Sequence, residues 1–242
     1  IEFYYNLIFC SLNRDKEEYF YKAKNYLFEN HEVFDVNEKK NLATKVANYC
    51  VHKFQLGSPK YLRELFEIIK FRLEHGIVTF KNGKISKDFY KQVVFVSTSL
   101  NEIKWTEKFV EEYTPLLFAE YQESMKNLAK SLMYYSEKKY DDVLNCLRRF
   151  RFADVLDKVN VKILIARTYF EMREFEMLLY HIDTSKHFLK NNKNVSTFMC
   201  EANSNFFNYL QTIASAIEKS DSNKLIKLEE KIRLDCAKKN KN

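Results

Sequence analysis

An all-α fold of stacked antiparallel helix pairs is predicted by three features of this sequence. Trp105, Tyr140 and Phe175 fall at a constant spacing of 35. Around the last two the pattern recurs, pairing Ser131 with Ala166, Tyr134 with Tyr169, Tyr135 with Phe170, Val143 with Leu178, Leu144 with Leu179 and Leu147 with Ile182. A fixed period of this length marks helical hairpins that bury their apolar faces only against their neighbours. Second, 3 Gly and 2 Pro in 242 residues are too few to turn the corners of a many-stranded sheet. Third, apolar residues recur at helical period through long stretches rich in Lys, Glu, Leu and Phe.

Phe3, Leu7 and Phe9 predict a short opening helix, and Tyr19, Phe20, Ala23, Leu27 and Phe28 a second one that completes a hairpin with it. A third helix, from about Asn37 to Phe54, carries Leu42, Val46 and Tyr49 and stops at Gly57, a residue suited to the left-handed position after a helix. Ser58-Pro59 is read as the cap and start of a fourth, whose stripe of Leu62, Leu65, Phe66, Ile69 and Leu73 ends at His75-Gly76. Residues 77–86 depart from helix. Alternating apolar residues around Asn82-Gly83 read there as a short hairpin or a long loop. Phe89, Val93, Val96 and Leu100 resume a helical stripe in spite of the β-branched run around them.

From Trp105 the repeat sets the elements. Trp105 to Tyr113 is a helix closed by Thr114-Pro115. Helices follow from about Glu120 to Lys138, Tyr140 to Phe150, Asp157 to Met172 and Glu174 to Lys190, turning over at Lys138-Lys139 and Arg173-Glu174. Two more, Ser196 to Glu218 and Ser222 to Lys238, break the period, as the end units of a stack must do to cover it. The organisation expected is one elongated helical domain over 1–242, with N-terminal pairs in 1–76, repeat units in 86–192 and capping helices in 196–238.

Composition narrows the function. With 46% hydrophobic residues the chain can bury a substantial core. The net charge of +7 arises from 40 basic and 33 acidic residues that are interleaved, and part of the excess lies in the terminal KKNKN, so no nucleic-acid partner is expected. Cys10, Cys50, Cys146, Cys200 and Cys236 are odd in number and never form a Cys-x-x-Cys pair, which reads as reduced cysteines in a cytoplasmic protein, without disulfides or zinc. No apolar run approaches the ~18 residues of a membrane span, so no membrane partner is expected. The opening Ile-Glu-Phe, without Met, predicts that the chain is part of a longer polypeptide.

The residues of the two best units resemble the tetratricopeptide family. In its 34-residue unit a small residue and an aromatic three positions later mark the first helix, and an aromatic followed three later by a small or aliphatic residue marks the second. Ala166, Tyr169, Phe175 and Leu178 match one unit, and Ser131, Tyr134, Tyr140 and Val143 the one before it. This chain has Val143 and Leu178 where the family has Gly or Ala, and it lacks the family's first-helix Trp and terminal Pro. The resemblance covers about 70 residues closely and implies a right-handed superhelix, or solenoid, of helix pairs. It also implies a concave groove lined by the first helix of each pair, which binds a peptide or protein partner. Carried over, the groove residues would be Leu132, Tyr135 and Ser136 from one unit and Ile163, Arg167, Phe170 and Glu171 from the next. The competing reading places Tyr135, Ile163 and Phe170 in the core between repeats.

No catalytic or cofactor motif is present. His31, His52, His75, His181 and His187 are scattered, and the closest pair, six residues apart, sits about 120° off a common helix face. There is no HExxH, Gly-rich phosphate loop or GxSxG elbow. Asp141-Asp142 fits the first turn of a helix, where negative charge is favoured. Arg148, Arg149 and Arg151 fit a helix C-terminus, and would favour an acidic partner only if they met Lys186 and Lys190 across a groove. No catalytic residue, metal or cofactor is therefore expected. The function predicted is a non-enzymatic scaffold that binds a protein or peptide. The alternatives are a peptide-sensing regulatory module of a larger protein, or an enzyme with a site assembled from residues such as His181, Glu171 and Arg167.

Overall fold

The computed structural model describes residues 16–78, 82–151 and 154–239, with side chains described to residue 232. The segment with Phe3, Leu7 and Phe9 lies outside these residues, as does the Cys236 side chain. Eleven α-helices and no strand occur among the described residues. They are α1 (Glu17–Glu29), α2 (Val36–Gln55), α3 (Lys60–Glu74), α4 (Lys87–Ser99), α5 (Ile103–Tyr113), α6 (Ala119–Ser136), α7 (Tyr140–Arg148), α8 (Val155–Met172), α9 (Phe175–Asn191), α10 (Thr197–Glu218) and α11 (Ser222–Lys239). None is long and apolar enough to cross a membrane.

Helix starts follow local chemistry. Asp35 caps α2 by accepting from the amides of Asn37 and Glu38, while the Glu38 carboxylate accepts from the Asp35 amide, a reciprocal box spelled out by the Asp-x-x-Glu spacing. Ser86, Asp154 and Ser196 cap α4, α8 and α10 in the same single-sided way, each accepting the amide three residues on. Ser58 does not. Its hydroxyl makes no cap; Pro59 precedes the first helical residue with φ already helical, and Ser58 offers its carbonyl to Tyr61.

Helix ends are more uniform than the sequence. Gly57, Asn101, Lys138, Arg173 and Ser220 all have positive φ, between 53° and 87°. Each amide bonds the carbonyl three residues back, and the next amide bonds the carbonyl five residues before itself, which is the double bond of a Schellman end. After each the chain re-enters a helix within three residues, giving the consecutive pairs α2–α3, α4–α5, α6–α7, α8–α9 and α10–α11. Links between pairs are longer. In one of them Ile77 and Val78 form a turn and Ile85, fully buried, donates its amide to the Leu116 carbonyl; residues 79–81 lie outside the description, and the described part of 77–86 holds no strand.

The chain divides into two compact units, Ile1–Gln122 and Glu123–Asn242. In the first, α2 packs on α1 and α3, and α4 packs on α3 and α5. Its core holds Phe20, Leu27, Val46, Cys50, Tyr61, Ile68, Ile69 and Val93, with Phe20 stacked on Tyr49 at 4.8 Å. In the second unit α8 packs on α7 and α9, α9 on α10, and α10 on α11. Val159, Ala166, Leu178, Ile182, Leu189, Phe207, Leu210 and Ala214 form one buried cluster there. The paired positions of the sequence repeat have matching surroundings: Ser131 and Ala166 are both fully buried, as are Val143 and Leu178. Tyr140 lies 5.8 Å from Tyr135, and Phe175 lies 6.3 Å from Phe170, at similar tilts.

Candidate functional site

Of the residues singled out by sequence, four meet in the second unit. Tyr135 lies in the last turn of α6, Tyr140 opens α7, and Arg167 and Glu171 stand one turn apart on α8. The Arg167 guanidinium sits 4.9 Å from the centre of the Tyr135 ring, a cation over an aromatic face. Burial raises the Tyr135 hydroxyl pKa; Arg167 opposes this shift and Glu171 adds to it. The Tyr140 hydroxyl is raised for the same reason first, then by the charge of Glu171 and by Tyr135. Arg167 and Glu171 are exposed, whereas both tyrosines are half-buried. The result is a surface with a cation and an anion backed by two phenol rings, able to pair with a partner's charges and to cover an apolar side chain.

The remaining predicted residues do not join this cluster in the same way. The Ser136 hydroxyl donates to the Leu132 carbonyl at 3.1 Å, a bond within its own helix, and Leu132 is half-buried. Ile163 and Phe170 pack against the buried cluster of the second unit, which matches the core reading of those two residues. What the sequence did not single out is a shallow recess of about 340 Å³ beside Tyr140, lined by Lys138, Lys139, Asp141, Asp142 and Met172. Its signal was present in the Lys-Lys and Asp-Asp pairs that flank the turn.

Of the residues nominated for a scattered enzyme site, Arg167 and Glu171 lie in the cluster with Tyr135, whereas His181 is held by other partners. His181 donates its Nε2 hydrogen to the Lys162 carbonyl at 2.9 Å and meets the Tyr169 ring edge-on. Burial lowers its pKa, as it does that of Lys162. Lys186 turns to Gln211 of α10 at 2.9 Å, and Lys158 and Lys162 both lie over the Phe188 ring. Cys50 is buried, and Cys146 and Cys200 are half-buried. Among the described residues no group of three or more His, Cys, Asp or Glu is placed to hold a metal ion. Compared with protein-family models, with curated proteins and with solved structures, the chain matches none of them.

Proposed function

We propose that this chain is a non-enzymatic scaffold of tetratricopeptide-like helix pairs, wound as a right-handed superhelix, that binds a protein or peptide in the cytoplasm through the α6–α8 face of its second unit. The observation that supports this most directly is the Arg167–Tyr135 and Glu171–Tyr140 cluster. Its Tyr135–Arg167 contact joins the first helices of two consecutive pairs, where a helical-repeat groove would lie, and Tyr140 flanks it from α7. Tyrosine and arginine are the residue types that concentrate binding energy at protein interfaces, because they present large, rigid area with a polar tip. The partner favoured by this arrangement carries an acidic group for Arg167 and a basic group for Glu171, with an apolar side chain between them.

Quantitative cross-linking from native lysate, comparing the parent chain with Arg167→Ala/Glu171→Ala, tests the reading. The expected result is loss of a defined cross-linked protein while circular dichroism stays unchanged. An identical cross-linked set for both proteins would remove the α6–α8 face from consideration.

A further inference from the structure

A second surface lies in the first unit, between α3 and α5, and is independent of the α6–α8 face. Two contacts set the relative direction of these helices. Arg63 of α3 bonds Glu102 at the N-cap of α5 at 2.6 Å, and Phe66 meets Trp105 edge-on at 4.8 Å. Both pairs have the same offset of 39, so α3 and α5 run parallel and in register. One turn beyond them a groove of about 380 Å³ opens.

Its floor is an aromatic ladder on one face of α5. Trp105 stacks on Phe109 at 5.8 Å and Phe109 on Tyr113 at 4.8 Å, with interplanar angles of 6° and 15°. Phe109 is buried, while Trp105 and Tyr113 are half-buried and line the groove. The walls are charged with a polarity. Lys70 of α3, whose ammonium bonds Glu67 at 2.9 Å, and Lys108 of α5 lie toward one end, and Glu74 of α3 and Glu112 of α5, each one turn further on, toward the other. Because the two helices are parallel, the two lysines fall toward the N-terminal end of the groove and the two glutamates toward its C-terminal end, with Lys108 the cation left to a partner since Lys70 is bonded to Glu67.

We infer that this groove docks an amphipathic helix of a partner protein that carries an apolar anchor between an acidic and a basic residue four positions apart. The spacing argues for a helix. Floor rings and wall charges both repeat every four residues, a rise of about 6 Å, and a helix lying along the groove presents side chains at the same interval. The charge pattern argues for a partner bearing both signs, since a segment of one sign meets like charge at one end.

Trp105 is the one tryptophan of the 242-residue chain and reports from inside the site. The probe is an N-acetylated, C-amidated alanine-based helix with Glu and Lys four residues apart and leucines on the same face. The expected result is a saturable blue shift of Trp105 emission. A twin probe with Glu at both positions should bind about tenfold more weakly and recover on the full chain carrying Glu74→Lys/Glu112→Lys, whose folding is checked by circular dichroism. Equal affinity for the two probes, or no saturable shift, overturns the inference. A shift of Trp105 emission on dilution of the chain alone would overturn it in favour of a second copy. Arg167→Ala/Glu171→Ala should leave probe binding unchanged, so failure here and failure of the α6–α8 face are read separately.

Discussion

Lys138 and Arg173 close their helices with the same left-handed turn, at φ 60° and 59°. The Lys138 amide bonds the Tyr135 carbonyl and that of Lys139 bonds Tyr134; 35 residues on, Arg173 bonds Phe170 and Glu174 bonds Tyr169. Neither side chain is suited to the position, because a Cβ there crowds the following carbonyl at a cost of about 1–2 kcal/mol.

Lys138→Gly and Arg173→Gly should therefore each stabilise the chain. Glycine relieves that crowding but gains about 0.5–1 kcal/mol of freedom when unfolded, leaving a net benefit of roughly 0.5–1 kcal/mol. Gly57 occupies the equivalent turn with no atom within 4 Å of where a Cβ would lie, so Gly57→Ala carries only the backbone strain and should cost about 1 kcal/mol. Urea unfolding midpoints check all three; a drop in midpoint for both glycine variants would contradict the strain argument.

Ser97 and Thr106 tie α4 to α5 through a buried hydroxyl pair. Thr106 donates to Ser97 at 2.7 Å, and Ser97 donates to the Val93 carbonyl at 2.9 Å. Ser97→Ala and Thr106→Val should each cost about 1 kcal/mol, with a coupling of about 0.5–1.5 kcal/mol in the double variant. A double-mutant cycle with additive losses would show that the pair contributes nothing as a pair.

Leu178 and Met177 are neighbours with opposite fates. Leu178 is fully buried at the matched repeat position, whereas Met177 is 48% exposed. Leu178→Ala should cost about 2–5 kcal/mol, and Met177→Ala no more than about 0.5 kcal/mol. Thermal unfolding of the two variants measures the contrast, and similar losses would mean that α9 packs through a different face.

His181 couples stability to pH. Burial holds its folded pKa below the ordinary histidine value of about 6.5. The unfolded chain therefore binds more protons in the window just below that value, and stability falls as pH drops through it and is fully present above it. Stability measured by urea from pH 8 to pH 5 should fall less steeply for His181→Gln, which retains a donor for the Lys162 carbonyl. An unchanged slope would assign the acid sensitivity to other groups, among which His75 is also lowered, by burial first and then by the nearby His31.

Helix identity was legible in the chain because apolar spacing near 3.6 residues is a local property, and it marked α2, α3 and the helices from Trp105 onward to within a few residues. Gly57 and Gly76 could be read as helix ends, since only glycine adopts positive φ freely. The same turn at Lys138, Arg173 and Ser220 could not be read from residue type, because packing of the flanking helices overrides the local preference there. Tyr135 and Arg167 were each named by the repeat resemblance, but their pairing was not foreshadowed. The register of Arg63 on Glu102 and Phe66 on Trp105 was not either, for its offset of 39 belongs to no sequence period. Amino-acid order alone determined where helices form and which faces are apolar, since those depend on neighbours a turn apart. Tertiary structure alone decided which charged and aromatic side chains converge, because that depends on how separate helices lie against one another.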